Sequence, residues 1–281
     1  MPSLTAPDGT RLAYDVTGEG SPVVCLPGGP MQESAHLGDL GGLPRHVQLV
    51  LWDYRGTGRS ETPTDASTYR CDRLVDDVEA VREHLDLDLD RITLLAHSGG
   101  ANLAVLYAAR HPERIGKLVL VTPSTRAVDI PISSDQRREI VQQRSAEPWF
   151  PAASAAFDAI QAEEATESDW EAITPLVYGR WDAAARAHHQ HENDNRHDEA
   201  AAAYGAEGAF DPPATRAALA ALTSPVLVLA GEVDLAAPPR VMAEFAALFP
   251  DATLVVQPGA GHMPWLDDAA AFSTTVAHFV G

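Results

Sequence analysis

The chain has 281 residues, 45% of them hydrophobic, and carries 20 basic against 40 acidic side chains for a net charge of −20. That length holds one large α/β domain with a modest insertion, and the negative balance repels nucleic acid and anionic lipid surfaces. No apolar run approaches the roughly 20 residues that span a bilayer, and the stretch from Met1 to Gly20 lacks a basic start followed by an apolar core. A soluble, cytoplasmic protein acting on small molecules or short peptides is expected, with no nucleic-acid or membrane partner; its oligomeric state is not legible.

Apolar runs of strand length alternate with helix-period segments. Strands are expected at 11–16, 23–26, 47–53, 92–96, 118–121, 226–230 and 253–257. The middle ones are near-continuous Val and Leu, as parallel strands buried on both faces require. Between them Leu74, Val78, Val81 and Leu85 mark one face of a helix, and 101–110, 241–249 and 269–279 read as further helices. The alternation predicts a mostly parallel, doubly wound α/β sheet.

One segment breaks the rhythm. Residues 124–224 offer no convincing strand and are rich in Ala, Glu, Asp and His, with Trp149, Phe150, Trp170, Tyr178, Trp181 and Tyr204 on helical patterns interrupted by Pro148, Pro151 and Pro175. They are expected to form a helical cap inserted into a core domain of residues 1–123 and 225–281. Such an insertion lies near the carboxyl ends of the strands, where open α/β sheets bind ligands, so the cap should roof the active site. Most of its aromatics should pack it onto the core, with one or two facing the substrate. Cys25 and Cys71 are two cysteines in a long chain and read as free thiols.

The run Ala96-His97-Ser98-Gly99-Gly100 joins a strand to a helix, and small residues two positions either side of a serine are what a tight nucleophile elbow tolerates. A hydroxyl is a poor nucleophile unless a base takes its proton and a third group orients that base. Both partners follow later strands: Asp234 in Gly231-Glu232-Val233-Asp234, and His262 in Pro258-Gly259-Ala260-Gly261-His262. Ser98, Asp234 and His262 stand in the chain order of the α/β-hydrolase triad, with Glu232 and Asp267 as alternative acids. In that reading His262 takes the Ser98 proton and Asp234 fixes its tautomer. The glycines of Leu26-Pro27-Gly28-Gly29-Pro30 leave backbone N–H groups unshielded, so Gly29 and Gly99 are the candidate oxyanion donors.

These segments resemble the α/β-hydrolases of the proline iminopeptidase type from Asp8 to Phe279. Pro27 to Pro30 resembles that family's HGGPG and Asp53 to Ser60 its DQRGxGxS; the elbow with Leu103 to Ile115, and the GEVD and GAGH runs, add to the likeness. Pro27 replaces the family's histidine, Tyr54 its glutamine and Gly99 the bulky residue after the nucleophile, changes that reshape the pocket floor and keep the backbone donors. The resemblance also implies that the 184–192 stretch is a cap helix whose Glu192 holds the substrate's α-amino group, with Glu207 or Glu199 as a second acid. A charge-assisted bond to an ammonium offsets the desolvation of such a carboxylate.

The expected activity is therefore that of a serine hydrolase working through an acyl-enzyme, releasing N-terminal residues from small peptides. A small-ester or lactone hydrolase is the alternative, and a ligand-binding homologue without turnover the reading from another class. A serine at the elbow disfavours haloalkane and epoxide chemistry, whose enzymes carry a carboxylate there. His188, His189, His191 and His197 with Glu192, Asp194 and Asp198 suggest no complete ligand set, so no metal and no cofactor are expected. Asp53 and Arg55 are expected to pair with each other and tie down the loop after their strand.

Overall fold

The structure is a computed structural model describing residues 2–85 and 91–281; Met1 and residues 86–90 of the expected core domain lie outside the described residues. Its strands are β1 (Ser3–Thr5), β2 (Arg11–Thr17), β3 (Pro22–Leu26), β4 (Gln48–Trp52), β5 (Ile92–His97), β6 (Ile115–Val121), β7 (Val226–Gly231) and β8 (Ala252–Gln257). They form one sheet in the order β1-β2-β4-β3-β5-β6-β7-β8, antiparallel across β1, β2 and β4 and parallel from there on. The sheet is the mostly parallel one expected. β1 is the addition: three residues with only Leu4 buried carry no readable period.

Alternation along the central strands splits the core into two layers. Val24, Leu26, Leu94, Ala96, Leu118, Leu120, Val226 and Val228 face one side. There they meet Leu74 and Val78 of α1 (Cys71–His84) and Leu103 of α2 (Gly100–Arg110). Val23, Cys25, Leu95, Val119, Val121, Leu227 and Leu229 face the other. Both cysteines are free and buried.

Between β6 and β7 come α3 (Ser134–Gln143), α4 (Phe150–Gln161), α5 (Glu167–Ile173), α6 (Ala183–Asp194), α7 (Asp198–Tyr204) and α8 (Pro212–Leu219). Their packing divides the segment. Val141, Ala153, Phe157 and Leu176 form a small cluster of their own, whereas Ala200 and Tyr204 of α7 and Leu219 of α8 belong to the main core. Tyr178 and Ala185 join the layer on the opposite face, and Trp170 stays exposed. After β7 come α9 (Pro239–Ala246), α10 (Pro264–Asp267) and α11 (Ala269–Val280), the last covering the second layer with Phe272, Val276 and Val280. No helix among the described residues is long and apolar enough to cross a membrane.

The chain proceeds from β3 outward to β4 on one side, and from β5 to β6 on the other. β3 and β5 are direct neighbours, with Leu26 opposite Ala96, so strand order reverses between them. The loops leaving these two strands therefore open into the crevice where such sheets bind ligands. They carry Gly29 and Ser98.

Candidate active site

Ser98 leaves β5 with φ of +47°, a left-handed conformation that costs a non-glycine residue free energy and lifts its Oγ clear of the strand. Packing over-determines the turn. The Ser98 N–H donates to Val121 O and its carbonyl accepts from Ser124, each at 3.0 Å. A Cβ on Gly100 would stand 2.4 Å from Pro27 O, so only glycine lets α2 approach β3 this closely.

Three residues from three strand ends meet here. Ser98 Oγ lies 2.7 Å from His262 Nε2, and His262 Nδ1 lies 2.8 Å from Asp234 Oδ2. Asp234 is fully buried, and its other oxygen accepts from the Ala236 N–H at 2.8 Å. An ionised Asp234 can only accept, so His262 carries its proton on Nδ1 and turns the Nε2 lone pair to the serine hydroxyl. Burial alone would depress the imidazole, but the Asp234 charge and hydrogen bond, with the Glu192 charge behind them, hold its pKa above 6.5. The other acids of these loops do different work. Glu232 accepts from the Gly259 N–H at 2.7 Å, and Asp267 from the Gly261 N–H at 2.8 Å and from Gly179 and Arg180, so both brace the histidine loop.

The backbone of His262 is gripped from both sides. Its N–H donates to Val177 O at 2.7 Å, and its carbonyl accepts from His97 Nε2 at 3.0 Å and from Thr122 Oγ1 at 2.9 Å. His97 is buried, which keeps its pKa well below 6.5 and the ring neutral. Its Nδ1 lies 3.3 Å from Nε2 of His36, whose own pKa burial pushes down to about 3. His36 also receives the Gly28 N–H at 3.4 Å. Gly29 adopts φ of +113°, and Gly99 packs against the Gly29–Pro30 peptide. Among the described residues no hydrogen bond uses the N–H of Gly29 or of Gly99, which leaves both donors for an incoming oxygen.

The Asp182 side chain accepts from the N–H groups of Ala184 and Ala185, capping an alanine-rich run that propagates readily as α6. α6 docks through His188 Nε2, which donates to His36 O at 2.9 Å, and through Gln32 Nε2, which donates to Glu192 O at 2.9 Å. That docking half-buries the Glu192 carboxyl beside Tyr178, whose hydroxyl lies 3.4 Å from Oε2. Burial lifts its pKa to about 7 against the opposing pull of the His262 imidazolium and the Tyr178 hydroxyl. The basic side chain paired with it is His188 at 3.5 Å, and burial lowers that ring's pKa, so among the described residues Glu192 has no cation of its own. Glu199 and Glu207 are exposed and, among the described residues, make no hydrogen bond to this group.

Sequence reasoning missed His36, His97 and Thr122, and it named Tyr178 and His188 without placing either beside Glu192. Only His97, directly before the nucleophile, had a positional signal. It also paired Asp53 with Arg55, and the structure corrects this: Asp53 bonds Ser34 at 2.7 Å and Arg59 at 3.3 Å, whereas Arg55 turns to Asp77 and Asp8. β4 ends at Trp52, so strand alternation no longer sets the two side chains on one face.

A cavity of about 360 Å³ reaches Ser98 and His262 and runs along Thr122, Arg126, Ile130 and Arg137. A larger one, about 610 Å³, opens beside His36, His188 and Trp265 and touches neither member of the Ser98–His262 pair, so size does not locate the chemistry.

The chain spans less than half the length of several curated relatives it matches. One is a proline iminopeptidase of Heyndrickxia coagulans, 32% identical over 128 residues, which are 45% of this chain and 43% of that protein. Another proline iminopeptidase, from Xylella fastidiosa, is 28% identical over 294 residues, covering 92% of this chain and 89% of its own. The solved esterase of Exiguobacterium antarcticum shares the fold with a TM-score of 0.74 at 20% identity, over 99% of this chain and 98% of that one. Residues 21–269 match the alpha/beta hydrolase fold family, and the chain belongs to that family.

Proposed function

We propose that the protein is a serine aminopeptidase of the proline iminopeptidase kind, which removes the N-terminal residue of a short peptide through an acyl-enzyme on Ser98. The observation that carries this is Glu192: a half-buried carboxyl close enough to the His262 base for their charges to interact, raised to about 7, with no cation of its own among the described residues. An arriving α-ammonium would supply the missing charge, and charge-assisted hydrogen bonds in a desolvated site are the strong ones. A neutral ester offers Glu192 nothing comparable.

In this reading Ser98 Oγ bonds to the scissile carbonyl carbon while His262 takes its proton. The N–H groups of Gly29 and Gly99 meet the oxygen as it becomes negative. The C–N bond then breaks as His262 returns the proton to the leaving nitrogen. Water repeats the addition at the acyl carbon, with His262 again as base, and frees the amino acid and Ser98.

The test is kcat/KM for proline and alanine 4-nitroanilides against 4-nitrophenyl acetate, in the wild type, S98A and E192Q, on the plateau of the pH profile. S98A should abolish all three activities. E192Q should lose about tenfold to a hundredfold on the anilides, as expected for one charged hydrogen bond, with little change on the ester. Equal losses on both would refute the amine-holding role, and activity confined to the ester would make the protein an esterase.

A further inference from the structure

Resting on the aminopeptidase reading, we infer that the cavity in front of Ser98 is a subsite for the free carboxylate of the leaving residue, held by Arg137 and Arg126. The substrate class is then narrower than peptides in general: it is dipeptides, whose two charged ends flank one scissile bond.

Apart from the His262 base, which stands between them, the cavity shares no lining residue with the surroundings of Glu192, so it is available to the other half of the substrate. Its volume, about 360 Å³, lies at the small end of the range for ligand pockets. Ile130, Ile132 and Ala236 give it apolar walls, and its lining holds two arginines and no carboxylate. In a chain with two acids for every base, that is an unusual neighbourhood.

Arg137 sharpens the point. It stands near the N-terminus of α3, where a cation opposes the helix dipole, and it is half-buried. Its neighbour Arg138 pairs with Asp158 at 2.7 Å, whereas the Arg137 guanidinium has no hydrogen-bond or ion-pair partner among the described residues. Arg126 rests over the Phe210 ring and reaches Gly205 O at 3.5 Å, with no carboxylate partner among the described residues. Guanidinium groups match a carboxylate in two-pronged geometry. On a molecule of net charge −20, a substrate carboxylate meets a repulsive field unless local cations offset it. A single leaving residue sets its carboxylate about 4 Å beyond the scissile carbon by ordinary bond lengths, within the reach of a cavity that starts at Ser98.

Prolyl-alanine and prolyl-alanine amide differ only in this carboxylate, and the ratio of their kcat/KM within one preparation is independent of how much of it is folded. The wild type should favour the free acid by about tenfold or more, the value of one charge-assisted pair, and R126Q/R137Q should bring the ratio close to one. A wild-type ratio at or below one, or a preference that survives in R126Q/R137Q, overturns the subsite. Proline 4-nitroanilide keeps the two readings apart. If it is cleaved through Ser98 while the acid-to-amide ratio is flat, only the subsite falls; if no amine-bearing substrate is cleaved, the aminopeptidase reading falls and takes the subsite with it.

Discussion

His97 donates its Nε2–H to the carbonyl oxygen of His262 at 3.0 Å, so the residue before the proposed nucleophile holds the backbone of its proposed base. Thr122 adds a second donor to the same oxygen at 2.9 Å. The serine and its base are thus registered through the protein interior as well as through their own hydrogen bond. Removing the His97 ring should leave Thr122 to hold His262 alone, with the base free to drift. H97A is expected to lower kcat by about tenfold to a hundredfold with little change in KM, since misplacements near 1 Å cost that much. A drop in KM-dependent binding with kcat intact would show that His97 acts on the substrate pocket instead.

Glu192 and His262 favour each other's charged forms, so Glu192 is expected to shift the acid limb of the activity. His262 must be neutral to accept the serine proton, so activity rises with pH through its pKa, which lies above 6.5. The Glu192 charge helps to hold that pKa up. Replacing it in E192Q removes a stabilising negative charge from the imidazolium, so the pKa falls and the acid limb of 4-nitrophenyl acetate hydrolysis should move to lower pH. For amine substrates the wild-type limb should be steeper, because Glu192, at about 7, must also ionise before it can hold an ammonium. An ester limb that stays in place, or moves upward, would mean that the two groups do not interact.

The sheet and the chain order of Ser98, Asp234 and His262 were legible because each follows an apolar run at the loop that ends it, a purely local signal. What could not be read depends on how distant segments dock. Glu192 lies on a helix that looks like a solvated acidic face until Tyr178 and the 3-10 turn Ser34–Leu37 close over it. The grip on His262 involves residues more than a hundred positions away in sequence. The Asp53–Arg55 pairing failed for the same reason: Asp77, buried on α1, competes better for Arg55 than an acid two residues away.

The close approach of α2 to β3 makes Gly100 a sensitive position. A methyl group there would press on Pro27 O at 2.4 Å and Leu26 O at 2.6 Å, and neither backbone oxygen can move without shifting the loop that bears Gly29. G100A should cost about 1–3 kcal/mol of stability through overpacking. Its activity loss at a temperature where it remains folded should be larger than H97A shows, because both the elbow and the oxyanion donors are displaced. Wild-type kcat in a folded G100A would show that the loop yields without consequence.

Far from the nucleophile, Arg55 clamps Asp77 through two parallel bonds, Nε to Oδ2 at 2.8 Å and Nη2 to Oδ1 at 2.5 Å, with Asp77 wholly buried. A third bond runs to Asp8, whose carboxylate is more than a third exposed and so adds little. Taking away one partner strands the other in a medium that cannot solvate it, which for buried pairs costs about 3–5 kcal/mol. R55M should therefore be among the most destabilising substitutions outside the site, with the loss limited by proton uptake at the orphaned Asp77. R55M/D77L removes both charges and fills their space with apolar atoms, so it should regain most of that loss in urea unfolding. If the double variant is no more stable than R55M, the fork's worth lies in holding the loop after β4 rather than in keeping Asp77 from being buried alone.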